Sequence, residues 1–372
     1  MIYLDYQATT PVAPEVAVAM QPWVEEKFAN PHSPSRWGRE AAAAIEVARK
    51  QVERSIGLKG GSVAFTGSAT EAINWALKGM LEKTPQGRNR IVTVATEHAA
   101  VLDTCEWLEG RGYQVTRLPV GPSGLLDLGD VKAALDGSVA LVAVMLVNNE
   151  IGVIQPIGEI AGMARGVGAP MLCDAVQGLG RVSISEGPDL VAVSAHKIHG
   201  PKGIGALWMR RGAEPAPQIH GGGQEMGLRS GTLSPMLAAG FGAAAKLASE
   251  RREADHAHVE RLWDAALAEL GPEWTVNGSA EQRYHGNINL RRDGLDAARL
   301  ISDLRDIALS LGSACASGSG RPSHVLRAIG LTDREARSSV RLGFGRYTTE
   351  ANLISAVRRI DSAARDQQGL AA

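Results

Sequence analysis

The sequence predicts an α/β protein: a large unit on a mostly parallel sheet of seven strands, followed by a smaller α/β unit at the C-terminal end. Two observations predict it. Between about residues 60 and 210, short β-branched apolar runs alternate with stretches of helical periodicity, as in strands covered on both faces by helices. Beyond a long Ala-, Leu- and Glu-rich helical stretch, the texture changes to short strands and short helices in quick succession. Composition agrees, since 43 glycines with only 4% aromatic residues suit many tight strand-to-helix turns.

The strands of the large sheet are expected at 62–65, 91–95, 114–118, 139–147, 171–173, 190–193 and 205–209. Helical patterns fall between several of them, at 69–81 and 157–165 for instance. The long helix is expected over 234–270, where Gly271-Pro272 breaks it. Past it, strands are expected at 287–290, 308–311 and 339–342, with helices near 295–304, 323–329 and 349–364. The expected divisions are an N-terminal segment 1–15, a large domain 16–260 and a small domain 261–372, which carries a Gly- and Ser-rich loop at about 312–322.

Length and charge narrow the function classes. A chain of 372 residues with 44% apolar and 21% charged residues is an ordinary globular enzyme in composition. A net charge of −1 gives no reason to expect nucleic acid or an anionic membrane as a partner. Three cysteines, Cys105, Cys173 and Cys315, are too few and too scattered for a disulfide framework or a zinc site. The start of the chain has neither the basic nor the apolar region of a signal peptide, and the longest apolar run, 139–147, is far short of a span. A cytoplasmic protein is expected.

In open α/β sheets ligands bind at the carboxyl ends of the strands. Five of the strand ends here carry polar or ionisable groups. Thr66-Gly67-Ser68-Ala69-Thr70-Glu71 opens a helix and reads as a capping box that could cradle a phosphate on the helix N-terminus. His98 follows the second strand, Asn149 the fourth, Asp174 and Gln177 the fifth, and Ser194, His196 and Lys197 the sixth. A desolvated lysine such as Lys197 forms Schiff bases or acts as a base. Asp174 is the type of group that pairs with a protonated pyridine nitrogen, and Gln177 could reach the ring's phenolic oxygen. His98 could lie on such a ring and move protons. Singly, each has a plainer explanation, as a helix cap, a surface lysine or a satisfied polar residue; the case is their convergence. Arg341, in a strand-like run of the small domain, could grip a carboxylate bidentately or serve a structural ion pair. Cys315 lies in Leu311-Gly-Ser-Ala-Cys-Ala-Ser-Gly-Ser-Gly320, where a thiol without an apolar setting points to reactivity. Cys105 and Cys173 sit in apolar contexts and read as core residues.

With these residues in view, the chain resembles the cysteine desulfurases of the NifS/IscS type, fold-type I pyridoxal-phosphate enzymes of the class-V aminotransferase family. The resemblance runs from Tyr3-Leu-Asp-Tyr-Gln-Ala-Thr-Thr-Pro11 to Arg341-Leu-Gly-Phe-Gly-Arg-Tyr-Thr-Thr349. It includes Thr96-Glu-His98, Val147-Asn-Asn149-Glu-Ile-Gly152, Asp174-Ala-Val-Gln177, Ser194-Ala-His-Lys197 and Arg229-Ser-Gly-Thr232 in order. The resemblance implies pyridoxal 5'-phosphate bonded to Lys197. Its phosphate would be held by Ala69, Thr70, Ser194 and His196, with Thr232 entering from the partner subunit of a homodimer. Its ring would meet His98, Asp174 and Gln177. Asn149 and Arg341 would hold the carboxylate of L-cysteine. Cys315 would take the sulfur as a persulfide, leaving alanine, and pass it to an iron–sulfur scaffold or another acceptor. No intrinsic metal is implied; a transient contact of Cys315 with scaffold iron stays open, as does the acceptor itself. The long loop around Cys315 resembles the family's group I. The turn Thr66–Glu71, where relatives often read Ser-Gly-Ala, and Arg321 before Pro322 depart from the usual pattern. A lyase or aminotransferase on the same fold is the nearest rival, and a non-catalytic sulfur carrier the more distant one.

Overall fold

The computed structural model describes residues 1–311 and 322–369. The large sheet has seven strands: β2 (Gly61–Thr66), β3 (Arg90–Val94), β4 (Gln114–Leu118), β5 (Val139–Met145), β6 (Met171–Asp174), β7 (Leu190–Ser194) and β8 (Gly205–Arg210), in the order β2-β8-β7-β6-β5-β3-β4. Only β8 runs against its neighbours, so the sheet is mostly parallel, as the alternating pattern predicts. The central strands β5, β6 and β7 are buried at every position, which explains their unbroken apolar character.

Helices cover both faces: α1 (Pro14–Glu25), α2 (Arg36–Ile56), α3 (Ala69–Glu82), α4 (Ala99–Glu109), α5 (Leu128–Ala134), α6 (Ile157–Gly166) and the long α7 (Pro235–Ala268). One apolar core joins α2, α6 and the first half of α7 to the sheet, and a second, around Ile73, Leu77 and Leu141, lies on the opposite face under α3 and α4. Ser234 caps α7 by accepting from the Leu237 amide at 3.3 Å, and Pro235 occupies the first turn, where its missing amide hydrogen costs nothing.

The smaller unit holds an antiparallel sheet in the order β12-β10-β9, formed by β9 (Thr275–Val276), β10 (Asn287–Arg291) and β12 (Ser339–Gly343). Around it lie α8 (Ala297–Asp303), α9 (His324–Ala328), α10 (Asp333–Arg337) and α11 (Glu350–Gly369). Its core starts at Val259 within α7, so that helix runs unbroken from one core to the other. The first residues belong to this unit: β1 (Ile2–Tyr3) pairs in parallel with β11 (Ile307–Ala308), and Leu4 is fully buried in the same core. The strand expected over 308–311 is thus shorter and shifted back, because β1 offers only two residues to pair with; Ser310 makes an isolated bridge to Arg341 instead. Among the described residues no helix is long and apolar enough to cross a membrane.

Candidate active site

The carboxyl ends of β2, β3, β5, β6 and β7 converge on one cavity of about 820 Å³ between the two units. Its wall includes Ala69, Thr70, His98, Asn149, Asp174, Gln177, Ser194, His196, Lys197 and Arg341, ten of the positions singled out in the sequence. Thr232 is not on this wall; it is exposed, at the end of a segment anchored by the Arg229–Glu71 ion pair at 2.7 Å. Cys315 lies outside the described residues, while Pro322 and His324, just beyond that stretch, are on the wall.

At one end, α3 points its N-terminus into the cavity. Ser68 accepts from the Glu71 amide at 3.2 Å, as a capping box requires, but the Glu71 carboxylate reaches the Gly67 amide at 2.7 Å rather than that of Ser68. That shift lets Glu71 also pair with Arg229. The amides of Ala69 and Thr70 carry no hydrogen bond among the described residues and remain available to an anion. Gly205 on β8 backs this turn: a Cβ there would lie 2.5 Å from the Ser68 carbonyl carbon and 2.6 Å from the Ala69 nitrogen. His196 shares its Nδ1 with the Thr9 hydroxyl at 3.2 Å, and burial beside Lys197 pushes it down to about 4, so the ring is neutral.

Lys197 directly follows β7. Its Nζ donates to the main-chain oxygens of Gln7 at 2.5 Å and Ala8 at 2.8 Å. Burial, followed by the charges of Arg181 and Arg341, lowers its amine to about 8, the range in which a lysine is both nucleophile and base. Asp174, at the end of β6, accepts from the Val176 amide at 2.9 Å. Burial raises its carboxyl, while His98, that amide and Lys197 oppose the rise. Gln177 donates one amide hydrogen to Gln7 O at 2.9 Å and accepts from Arg181, leaving its second hydrogen for the cavity. His98 caps α4, its Nδ1 accepting from the Ala100 amide at 3.0 Å.

At the far end, Arg341 on β12 is 1% exposed and donates to Asn149 O at 2.9 Å and to Asp5 Oδ1 at 2.8 Å. The Asn149 side-chain amide, in contrast, makes no hydrogen bond among the described residues. Sequence reasoning noted Glu150 only as one of the polar groups at a strand end, and missed several other wall and supporting groups. Gln7 and Ala8 reach the site from the N-terminal segment through main-chain oxygens, which no side-chain motif could reveal. Glu150 is buried, and the Ser323 hydroxyl donates to it at 2.5 Å. His324 donates from Nε2 to Glu97 O at 2.9 Å. Adjacency to Asn149 and to Pro322 was the available signal for the last two.

The fold and this site define an α/β enzyme whose cavity wall carries a lysine, a buried aspartate and the N-terminus of α3. The chain belongs to the aminotransferase class-V family, whose family description matches residues 2–355, and within it to the cysteine desulfurases of the NifS/IscS type. It is 45% identical to "Cysteine desulfurase IscS" of Rickettsia bellii over 370 residues, 97% of this chain and 90% of that protein. A structure titled "NIFS-LIKE PROTEIN" superposes with a TM-score of 0.89 at 32% identity, covering 97% of this chain and 98% of that one. Another, "SspA in complex with cysteine", gives 0.83 at 35% identity, covering 94% and 100%. This family implies pyridoxal phosphate.

Proposed function

We propose that this chain is a cysteine desulfurase that binds pyridoxal 5'-phosphate, converts L-cysteine to L-alanine and takes the sulfur onto Cys315. The observation that carries it is the gathering of Lys197, Asp174 and a free helix N-terminus in one cavity with Arg341 and Asn149 at the opposite end. The donor set fits the cofactor. Anion-binding amides of Ala69 and Thr70 with Ser194 and His196 suit its phosphate, and Gly205 leaves the α3 turn the room that a side chain would fill. When bound, the cofactor supplies an aldehyde for amines and a ring that withdraws electrons from the substrate Cα.

The chain's own residues do the rest. Asp174 would hold a proton on the ring nitrogen, and Gln177 would donate to the phenolic oxygen. Arg341 and Asn149 orient the substrate carboxylate. Lys197, with its amine near 8, accepts the Cα proton, and the Nε2–H of His98 can return one. The Cys315 thiolate attacks the substrate sulfur; the carbon–sulfur bond breaks, its electron pair goes to carbon, and protonation there gives alanine. The two-unit division at about residue 260 is part of the same reading, as is a homodimer in which Thr232 enters the partner's site. Exposed Phe28 and Trp37, 92% and 73% accessible, support a second subunit. A cytoplasmic setting suits the buried free thiols Cys105 and Cys173, and the sulfur acceptor is a scaffold or carrier protein.

The test is to incubate the purified protein with L-cysteine and a thiol reductant, measuring alanine and sulfide together for the native chain and Cys315→Ala. Equal amounts from the native chain, both lost in the variant, are expected. Pyruvate in place of alanine, or comparable activity without Cys315, would move the chain to the lyases.

A further inference from the structure

Three histidines line the cavity, and their hydrogen bonds assign their protons. The Ala100 amide donates to His98 Nδ1, so the single hydrogen of the neutral His98 ring sits on Nε2. His98 can give that proton, but it cannot take one without breaking its own cap of α4. His196 is held neutral by burial beside Lys197, with its ring pushed down to about 4, and is a poor acceptor. His324 is arranged the opposite way. Its Nε2 lies 2.9 Å from Glu97 O, and because a carbonyl oxygen only accepts, Nε2 carries the hydrogen. Nδ1 keeps its lone pair and has no partner among the described residues.

His324 is also held in place. Ser323, the residue before it, caps α9 by accepting from the Leu326 amide at 3.1 Å while donating to buried Glu150. The ring itself stays exposed at the cavity rim, on the wall that carries Asn149 and Arg341. Glu150, from the loop after β5, interacts electrostatically with it, and Asp103, Asp174, Lys197, Lys202 and Arg341 share its cavity wall; Arg327, on its own helix, pairs with Asp333. As a class, carboxylates are about two units weaker than imidazoles as bases toward a thiol.

Resting on the desulfurase reading, we infer that His324 is a catalytic base that takes the thiol proton of the substrate as sulfur is transferred. The step balances. The enzyme thiolate forms a bond to the substrate sulfur, the sulfur–carbon bond breaks with its electron pair going to carbon, and the S–H proton passes to His324 Nδ1. The persulfide is thereby released as an anion and His324 as an imidazolium.

His324→Gln isolates the role, because its amide can keep the donor to Glu97 O while removing the Nδ1 base; His324→Asn, with its shorter side chain, is the second variant should the first melt early. The readouts are kcat/KM for L-cysteine and for L-selenocysteine at neutral and alkaline pH, alongside the affinity for L-alanine. A loss of about 100-fold or more is expected with L-cysteine at neutral pH. It should shrink as pH rises past the thiol range, and it should be absent with L-selenocysteine, whose selenol is already ionised. Alanine affinity should be unchanged. An equal loss with both substrates, or no loss with L-cysteine, overturns the inference. If the native chain forms no alanine from L-cysteine, it is the desulfurase reading that fails.

Discussion

Lys197 Nζ lies 2.5 Å from the main-chain oxygen of Gln7, so the first residues of the chain hold the reactive lysine in the site. Burial and the nearby Arg181 and Arg341 lower its amine from 10.5 to about 8. Folded protein therefore binds fewer protons than unfolded protein between these values, and stability rises with pH across that window. In the cofactor-free protein, the stability of Lys197→Met relative to the native chain should fall by about 3 kcal/mol between pH 7 and 10.5, an upper figure set by the size of the shift. Reductive methylation of Lys197 should titrate near 8. Titration at the ordinary lysine value would contradict the geometry.

Glu97 is fully buried, and its Oε1 accepts from the Met145 amide at 2.6 Å while Oε2 has no partner among the described residues. The carboxyl takes up an amide that β3 has ended too early to reach. Burial, followed by the neighbouring Asp174, holds it well above the usual carboxylate value of 4.5. A raised carboxyl gives stability that is present below about 4.5 and is lost as pH climbs toward the folded value. Glu97→Gln, which mimics the protonated acid, should cost less than about 1 kcal/mol at pH 5 and should gain on the native chain by pH 8. Urea titrations at the two pH values measure this; a constant difference would mean that Glu97 is ionised in the fold.

The large sheet was legible because its central strands are buried on both faces and read as continuous apolar runs, bounded by glycine and polar turns. Nine of the ten site positions were legible because they sit at strand ends of the large sheet; Arg341, inside β12, was legible only from its residue type. The contributions of Gln7, Ala8 and Asp5 were not, since they depend on the N-terminal segment crossing to the small unit and passing beneath Lys197. His324 was missed because its partner, Glu97 O, is 227 residues away and is a main-chain atom. The domain division was hard to draw because α7 supplies apolar faces to both cores without a break.

Gly205 tests the phosphate cradle. A Cβ there would press on the Ser68 carbonyl carbon and the Ala69 nitrogen, both backbone atoms of the α3 turn that cannot rotate away. Gly205→Ala should cost about 1–3 kcal/mol by overpacking and weaken retention of pyridoxal phosphate more than Gly294→Ala weakens it. Gly294 serves as the control because, although its φ is +82°, nothing lies within 4 Å of its added Cβ. Dialysis followed by the visible absorbance of retained cofactor separates the two.

The last relationship concerns the segment that ends in Thr232. Arg49 donates to both carboxylate oxygens of Glu225, at 2.6 and 2.7 Å, and the Phe65 amide donates to the same carboxylate at 2.5 Å. Glu225 and Met226 both adopt positive φ, at 48° and 61°, a conformation that side chains resist and that tertiary contacts must hold. The buried ion pair is therefore the anchor of a strained turn close to β2. Arg49→Met would strand the Glu225 charge in the core, at a cost of about 3–5 kcal/mol. The double variant Arg49→Met, Glu225→Gln should recover part of that loss, because no uncompensated charge remains, yet the turn should still be loosened. If Thr232 serves the partner's site, the double variant should retain less cofactor than the native chain at equal stability. Full retention in a folded double variant would show that the turn, and Thr232 with it, does not depend on this anchor.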